Sequence, residues 1–258
     1  MSKLNGYYSK LPEEDRILVS HILDMLEQCE KSFRPRFSCF LDERQAILAR
    51  SVMTEQGCES YKLYGGYEGA SRTVLGVFPP YWDDEDCFPV SALTFRYRGA
   101  DKLSHRDFLG AFMSRQIKRN MLGDIVVGTG CTVVFVYDTV KPVLMSEISK
   151  IGSAGVKITE EKNPEINIEQ SFTEKSGTVS SLRLDGIISM AAGISREKSA
   201  SLIKGGGVSV MYNVTQSPSC QLSEGDIFSV RGYGKFLLFS VNGKTKKDRY
   251  RITVKKYN

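Results

Sequence analysis

The chain has 258 residues, room for two or three domains. With 41% hydrophobic and 25% charged residues it has the composition of a folded globular protein, and its formal charge of +5 is too small to name a partner. No apolar run reaches the ~18 residues that a membrane-spanning helix needs; the longest, Ile125 to Tyr137, is broken by Gly128 and Gly130.

The first stretch reads as helical. Pro12 lacks the N–H that a first helical turn leaves unpaired, and Glu13, Glu14 and Asp15 suit the positive end of the helix dipole. Ile17, Leu18, His21, Ile22, Met25 and Leu26 recur at three-and-four spacing, so one face is apolar and His21 packs on it. Pro35 ends or interrupts that helix. A second helix is expected from Asp42 to Glu55. Gly65, Gly66 and Gly69 mark turns, and Thr73 to Phe78 reads as a strand. Residues 1–75 are therefore expected to form a mainly helical region.

The texture changes near Val90. Val90 to Arg98 alternates as a strand, with Leu93, Phe95 and Tyr97 on one face. Ser104 is a fitting N-cap for a helix to about Ile117, with Phe108, Leu109, Phe112 and Met113 on its apolar side. Asp124 to Val127 and Thr132 to Tyr137 read as paired strands, Asp138 to Ile151 as a helix, and Val156 to Thr159 as a last strand. The order β-α-β-β-α-β resembles a ferredoxin-like or RRM-like unit, assigned to residues 76–175. Glu160 to Ser181 is polar and reads as an extended segment and a linker.

Residues 181–258 carry 13 Lys/Arg against 5 Asp/Glu, a balance of +8, and the other 180 carry 22 against 25, a balance of −3. A basic module on a slightly acidic body points to a polyanion met by one end of the chain. Leu184, Ile187, Ile188 and Ala191 give a short apolar helical face. Gly193 suits the left-handed residue that closes it, and Ser195 caps the next helix, where Ala200 and Ile203 lie one turn apart. Gly205-Gly206-Gly207 ends that helix, and Val208 to Val210 and Ile227 to Val230 read as strands. Asn242-Gly243 between two alternating runs is a hairpin signal. Lys244, Lys246 and Lys247 then either extend the basic surface or solubilise a flexible turn.

Arg183-Leu-Asp185, then Ser195-Arg196, then a helix running into Leu202-Ile203 and Gly206-x-Val208-x-Val210, then Gly225-Asp226 before Ile227, resembles the S4 RNA-binding domain over about 55 residues. Met211 stands where that family usually has Asn. His105-Arg-Asp-Phe-Leu-Gly110, continuing to Ile117-Lys-Arg119 and Gly123-Asp124-Ile125, resembles the signature of YlmH-type proteins, as does Arg231-Gly-Tyr-Gly-Lys-Phe236. Gln116 stands where Gly is expected. The resemblance implies an N-terminal part, a central RRM-like domain and a C-terminal S4 domain at 181–258. It implies a bacterial protein with genes near those for cell division. It also implies a link to the large ribosomal subunit and peptidyl-tRNA in quality control of stalled ribosomes.

Other signals carry less. His105-Arg106-Asp107 resembles a kinase catalytic loop but has no glycine-rich loop or D-F-G beside it; Asp107 and Arg106 are left to cap, to pair or to contact RNA. Gly128-Thr-Gly130 precedes a strand, so it reads as a turn. Thr132 to Tyr137 lacks an aromatic RNA-stacking motif. Two distant histidines make a zinc or Ser–His–Asp site improbable. Six scattered cysteines without C-x-x-C spacing point to reduced thiols in a cytoplasmic protein.

The expectation is therefore an α+β chain that binds RNA and is not an enzyme. It takes no cofactor or metal, inserts into no membrane, and is expected to be a monomer. Its partners are rRNA and tRNA, met through Arg183, Arg196, Lys198, Lys204, Arg231 and Lys235. The alternatives are an RNA-modifying enzyme of the pseudouridine-synthase kind and a cell-division scaffold.

Overall fold

A computed structural model describes residues 11–84, 87–162, 164, 172–245 and 247–257. The chain folds into two compact units, Met1–Asn167 and Ile168–Asn258. Among the described residues, no helix is long and apolar enough to cross a membrane.

The first unit begins with α1 (Glu13–Ser32), β1 (Arg36–Leu41), α2 (Glu43–Glu55), β2 (Tyr61–Tyr64) and β3 (Thr73–Val77). Helix α1 starts behind Pro12, as the sequence dictates. It stops before Pro35 because Phe33 takes a left-handed conformation, φ 52°. Helix α2 starts in a reciprocal cap, Asp42 Oδ1 accepting from the Gln45 N–H at 2.8 Å while Gln45 Oε1 accepts from the Asp42 N–H at 2.9 Å. The three strands form an antiparallel sheet in the order β1-β3-β2. The two expected helices make up most of the regular structure here, and β1 and β2 are strands that the sequence reading did not place. Strands of four to six half-buried residues are too short to show alternation clearly, and position 75 falls inside β3.

The same unit continues with β4 (Val90–Arg96), α3 (His105–Met113), β5 (Leu122–Val127), β6 (Cys131–Tyr137), α4 (Lys141–Glu147), β7 (Lys150–Ile151), β8 (Ala154–Gly155) and β9 (Lys157–Glu160). Its main sheet has the order β5-β6-β4-β9, all neighbours antiparallel. Helix α3 is shorter than expected. The chain turns at Gln116, φ 61°, to bury Ile117, which explains why glycine suits that position. The helix expected from Asp138 to Ile151 is a 3-10 turn, then α4, then the small β7–β8 hairpin. Gly152, φ 56°, reverses the chain there so that both Ile148 and Ile151 are buried.

Strand β6 explains how the first unit holds together. Val134 and Val136 face the core beneath α3 and α4, with Leu93, Phe95, Phe108 and Leu144. Val133 and Phe135 face the opposite way, into a second core with Phe40, Val74, Phe78 and Phe88 of the N-terminal part. An unbroken apolar run is the pattern of a strand buried on both faces. The approach is close: a side chain at Gly66 would meet the Phe135 ring at 2.0 Å, and one at Gly123 would meet the Phe40 ring at 2.6 Å. Asp124 latches the loop before β3 to β5, accepting from the Tyr67 hydroxyl at 2.7 Å, the Ser71 N–H at 2.7 Å and the Arg72 N–H at 3.2 Å. Burial, reinforced by Asp124, pushes the Tyr67 phenol well above its usual range, so it stays a donor.

The second unit contains β10 (Phe172–Val179), α5 (Leu184–Ala192), α6 (Arg196–Lys204), β11 (Val208–Val210), β12 (Asn213–Val214), β13 (Ile227–Val230), β14 (Gly234–Lys244) and β15 (Tyr250–Tyr257). The sheet order is β10-β15-β14-β13-β11-β12. Leu184, Ile187, Ile188 and Ile203 of the helices pack on Phe228, Phe236, Leu238, Ile252 and Val254 of the sheet. Two readings are corrected. The supposed linker before Ser181 contains β10, which pairs with all of β15 from Phe172↔Tyr257 to Val179↔Tyr250, so a boundary at 175 would cut a strand. Asn242-Gly243 is not the hairpin turn. Strand β14 runs through it with a register shift between Val241 and Lys244, and the chain reverses at Thr245–Arg249, where the Thr245 N–H donates to the Arg249 carbonyl at 2.8 Å. Lys244 pairs with Asp248 at 2.7 Å and Lys247 is exposed; Lys246 lies outside the described residues.

Replacing Phe135, fully buried between the two parts of the first unit, is expected to cost about 3–5 kcal/mol as Phe135→Ala. Urea unfolding followed by the single tryptophan, Trp82, measures it; a loss below about 1 kcal/mol would contradict the double-sided packing of β6.

Candidate nucleic-acid interface

The basic module is organised by one carboxylate. Asp185, in the first turn of α5, is 5% exposed. The Arg183 guanidinium donates to it through Nη2 at 3.0 Å and Nε at 3.3 Å, and Arg196 donates through Nη2 at 3.2 Å. The Gly186 N–H donates at 2.7 Å. Burial by itself would raise the Asp185 carboxyl, but the hydrogen bonds from Arg183 and Arg196 outweigh it and hold the group below the usual aspartate range. The arginines themselves reach solvent, with side chains 37% and 52% exposed. Asp185 thus fixes two guanidinium groups at the starts of two helices while both stay partly exposed to solvent, an arrangement that suits phosphate oxygens.

Local sequence places these groups. Arg183 is the extended residue before α5, tied to Gln221 by a β-bridge. Gly193, φ 67°, closes α5, and the Ser195 hydroxyl accepts from the Lys198 N–H at 3.1 Å to start α6. The turn between the helices is what carries Arg196 back over Asp185.

The six expected residues do not form one cluster. Arg183 and Arg196 share Asp185. Lys198 reaches the Tyr233 ring, its ammonium 5.8 Å from the centroid, and Tyr233 belongs to the same exposed turn as Arg231. Lys204 is exposed in the last turn of α6. Lys235 lies on the sheet face away from the helices, between the rings of Tyr212 and Tyr257 at 5.1 and 4.9 Å. The tyrosines and Asp185 have roles that motif reading alone did not assign; Asp185 was visible as the third residue of R-L-D, but its burial was not.

Met211 and Tyr212 form the two-residue turn between β11 and β12, with φ of 45° and 66°. Such a turn favours Asn-Gly, because both central residues are left-handed. Here Met211 holds its place by other means. Its N–H donates to the Ile227 carbonyl at 2.8 Å, and its sulfur accepts from the Ile227 N–H at 3.4 Å.

The central sheet offers no comparable surface on its face away from α3 and α4. RRM-type sheets stack bases on that face, yet here it is buried through Ala92, Val133 and Phe135. The surrounding cations are also engaged structurally. Arg72 donates to the Leu122 and Phe40 carbonyls, and Arg119 to the Leu122 and Gly123 carbonyls. Burial, then the nearby Arg72 charge, lowers Arg119 to about 10. Asp107 caps α3 by accepting from the Ser104 N–H at 2.8 Å and hydroxyl at 2.6 Å, the first of the roles open to it in His105-Arg106-Asp107.

These features define a modular, mixed α/β protein with a basic C-terminal surface. Residues 85–165 match the family described as "Putative RNA-binding domain in YlmH". The chain is 32% identical over 255 residues to "Ribosome-associated protein quality control protein P2" of Bacillus subtilis (strain 168), covering 97% of this chain and 98% of that one. Its fold resembles "Cell division protein ylmH from Streptococcus pneumoniae" with a TM-score of 0.51 and 21% identity, over 58% of this chain and 93% of that one. The chain belongs to the YlmH family.

A carboxyl with a depressed folded-state pKa adds stability that is present above its unfolded pKa and lost as pH falls through the folded one. Asp185→Asn is expected to cost about 1–2 kcal/mol at neutral pH, and to remove part of the stability that the wild type loses as pH falls from about 5 through its depressed folded pKa. Hydrogen exchange of the α5 amides at both ends of that range measures it. Equal acid sensitivity in the two proteins would rule out the Asp185 clamp.

Proposed function

We propose that this protein docks without catalysis on structured RNA through its C-terminal module, in the manner of an S4 domain, using Arg183, Arg196, Lys198 and Lys204 with Arg231 beside them. The observation that carries the reading is the pair of guanidinium forks held by Asp185 at the starts of α5 and α6. Phosphate contacts of this kind set position and orientation without reading sequence, so the target is recognised by shape. The name of the Bacillus subtilis relative concerns ribosome-associated quality control. By that likeness the RNA is rRNA and tRNA of the large ribosomal subunit, and the context is rescue of stalled ribosomes in the cytoplasm, with the protein acting as a monomer. In this reading the central region keeps an RRM-like architecture without RRM-type base stacking. Of the six candidate residues, Lys235 lies outside this surface.

If about four phosphates of non-duplex RNA are neutralised, log affinity falls against log salt with a slope near −3. The triple change Arg183→Glu, Arg196→Glu, Lys204→Glu is expected to abolish binding to large ribosomal subunits while circular dichroism stays unchanged. Sedimentation with subunits, with and without tRNA, measures it, and undiminished co-sedimentation of the folded triple variant would overturn the site. An RNA-modifying enzyme is the competing reading; a stoichiometric new base found by mass analysis of incubated RNA would establish it.

A further inference from the structure

The helix-bearing side of the C-terminal sheet is its core, and the other side has a pattern of its own. Along β15, Ile252 and Val254 point to the helices, so Arg251, Thr253, Lys255 and Tyr257 point away. Along β14, Phe236 and Leu238 point inward, and Lys235 and Phe239 point outward. On this outer face two lysines sit in aromatic slots. The Lys255 ammonium lies 3.4 Å from the centroid of Phe239 and 5.5 Å from that of Phe172. Lys235 lies between Tyr212 and Tyr257. The Phe172 and Tyr257 rings meet edge to face at 5.0 Å, across the β10–β15 pair.

Two departures from regular structure build this face. The register of β14 against β15 shifts between Leu238 and Ser240, so Phe239 is the extra residue of a bulge and stays 46% exposed with its ring over Lys255. Bulges re-aim side chains in this way. Tyr212 is delivered by the left-handed Met211-Tyr212 turn, a conformation unfavourable for both residues. Both irregularities bring an aromatic ring to a lysine on the same face. Arg251 is exposed on it as well, and Glu174, paired with Lys255 at 3.2 Å, is the acid opposite.

We propose that this outer face is a second RNA-binding surface, a stacking platform for an unpaired RNA segment, separate from the helix side that carries Arg183 and Arg196. The inference rests on the RNA-binding reading of the module and adds the form of RNA to it. Aromatic rings interleaved with cations are the chemistry of single-strand binding, since every base has a face to stack and every nucleotide a phosphate to neutralise. Paired bases are already stacked within their helix, so a duplex cannot use the rings. On binding, the ammonium groups exchange ring faces for phosphate oxygens and the bases take the rings. The sheet's six strands at ~4.8 Å spacing give a face ~24 Å across.

The test uses the full chain with two probes, a fluorescent 12-nucleotide single-stranded oligoribonucleotide and large ribosomal subunits. Two variants each remove one ring, Phe239→Ala and Tyr212→Gly; glycine suits the left-handed turn, so the second is expected to fold at least as well as the wild type. Each is expected to weaken single-strand binding about 5- to 100-fold and to leave subunit binding within about twofold. The helix-side triple change is expected to do the reverse. Single-strand affinity within twofold of wild type in folded Tyr212→Gly and Phe239→Ala overturns the platform. So does single-strand binding lost only in the triple variant, or capture of an acidic peptide in preference to the oligoribonucleotide. A wild-type protein that binds neither probe refutes the RNA-binding reading itself.

Discussion

Asp185 is buried while both of its guanidinium partners reach solvent, and that asymmetry governs the basic module. A carboxylate removed from water must be met by donors, and it receives them from Arg183, Arg196 and the Gly186 N–H. The consequence runs outward as well. Two flexible cationic side chains lose much of their freedom in the folded protein rather than at the moment of binding, so less ordering remains to oppose docking. The helix junction follows from the same requirement: Gly193 and Ser195 turn the chain sharply enough for α6 to return Arg196 to the carboxylate that α5 supplies.

The first unit obeys a different constraint. Strand β6 is apolar on both sides and needs two cores. One is made by α3 and α4, the other by the N-terminal sheet and its aromatic residues. The close approach at Gly66 and Gly123 and the Asp124 latch are what let the second core form. Membership in a family with a putative RNA-binding domain at 85–165 therefore coexists with a sheet face that is unavailable for stacking. Among the described residues, the lysines seated over aromatic rings belong to the second unit. Its two sides differ in kind, guanidinium forks on the helix side and caged lysines on the sheet side.

Much of this was legible in the sequence where the signal is local. Caps and stops are one-residue events, and Pro12, Asp42, Ser104, Gly193 and Ser195 all lie at helix ends. The alternation of Val90 to Arg96 and the apolar run of β6 identify strands for the same reason. Strands β1, β2 and β10 were not legible. The first two are short and half-buried, and β10 is polar because most of it is exposed, so each exists by virtue of its partner strand. The Asn-Gly hairpin signal misled because a bulge absorbed it, moving the turn to Thr245–Arg249.

By itself the sequence determined the basic C-terminal module, its helix boundaries and the residues of the R-L-D and S-R motif, since charge count, capping chemistry and motif spacing are properties of the chain. Tertiary structure decided which of those charges act together. Arg183 and Arg196 lie thirteen positions apart and meet on one buried carboxylate. Lys235 leaves that group because strand alternation turns it to the other face, between rings from positions 212 and 257. Burial and long-range pairing set these partnerships, and neither is a property of any short stretch of sequence.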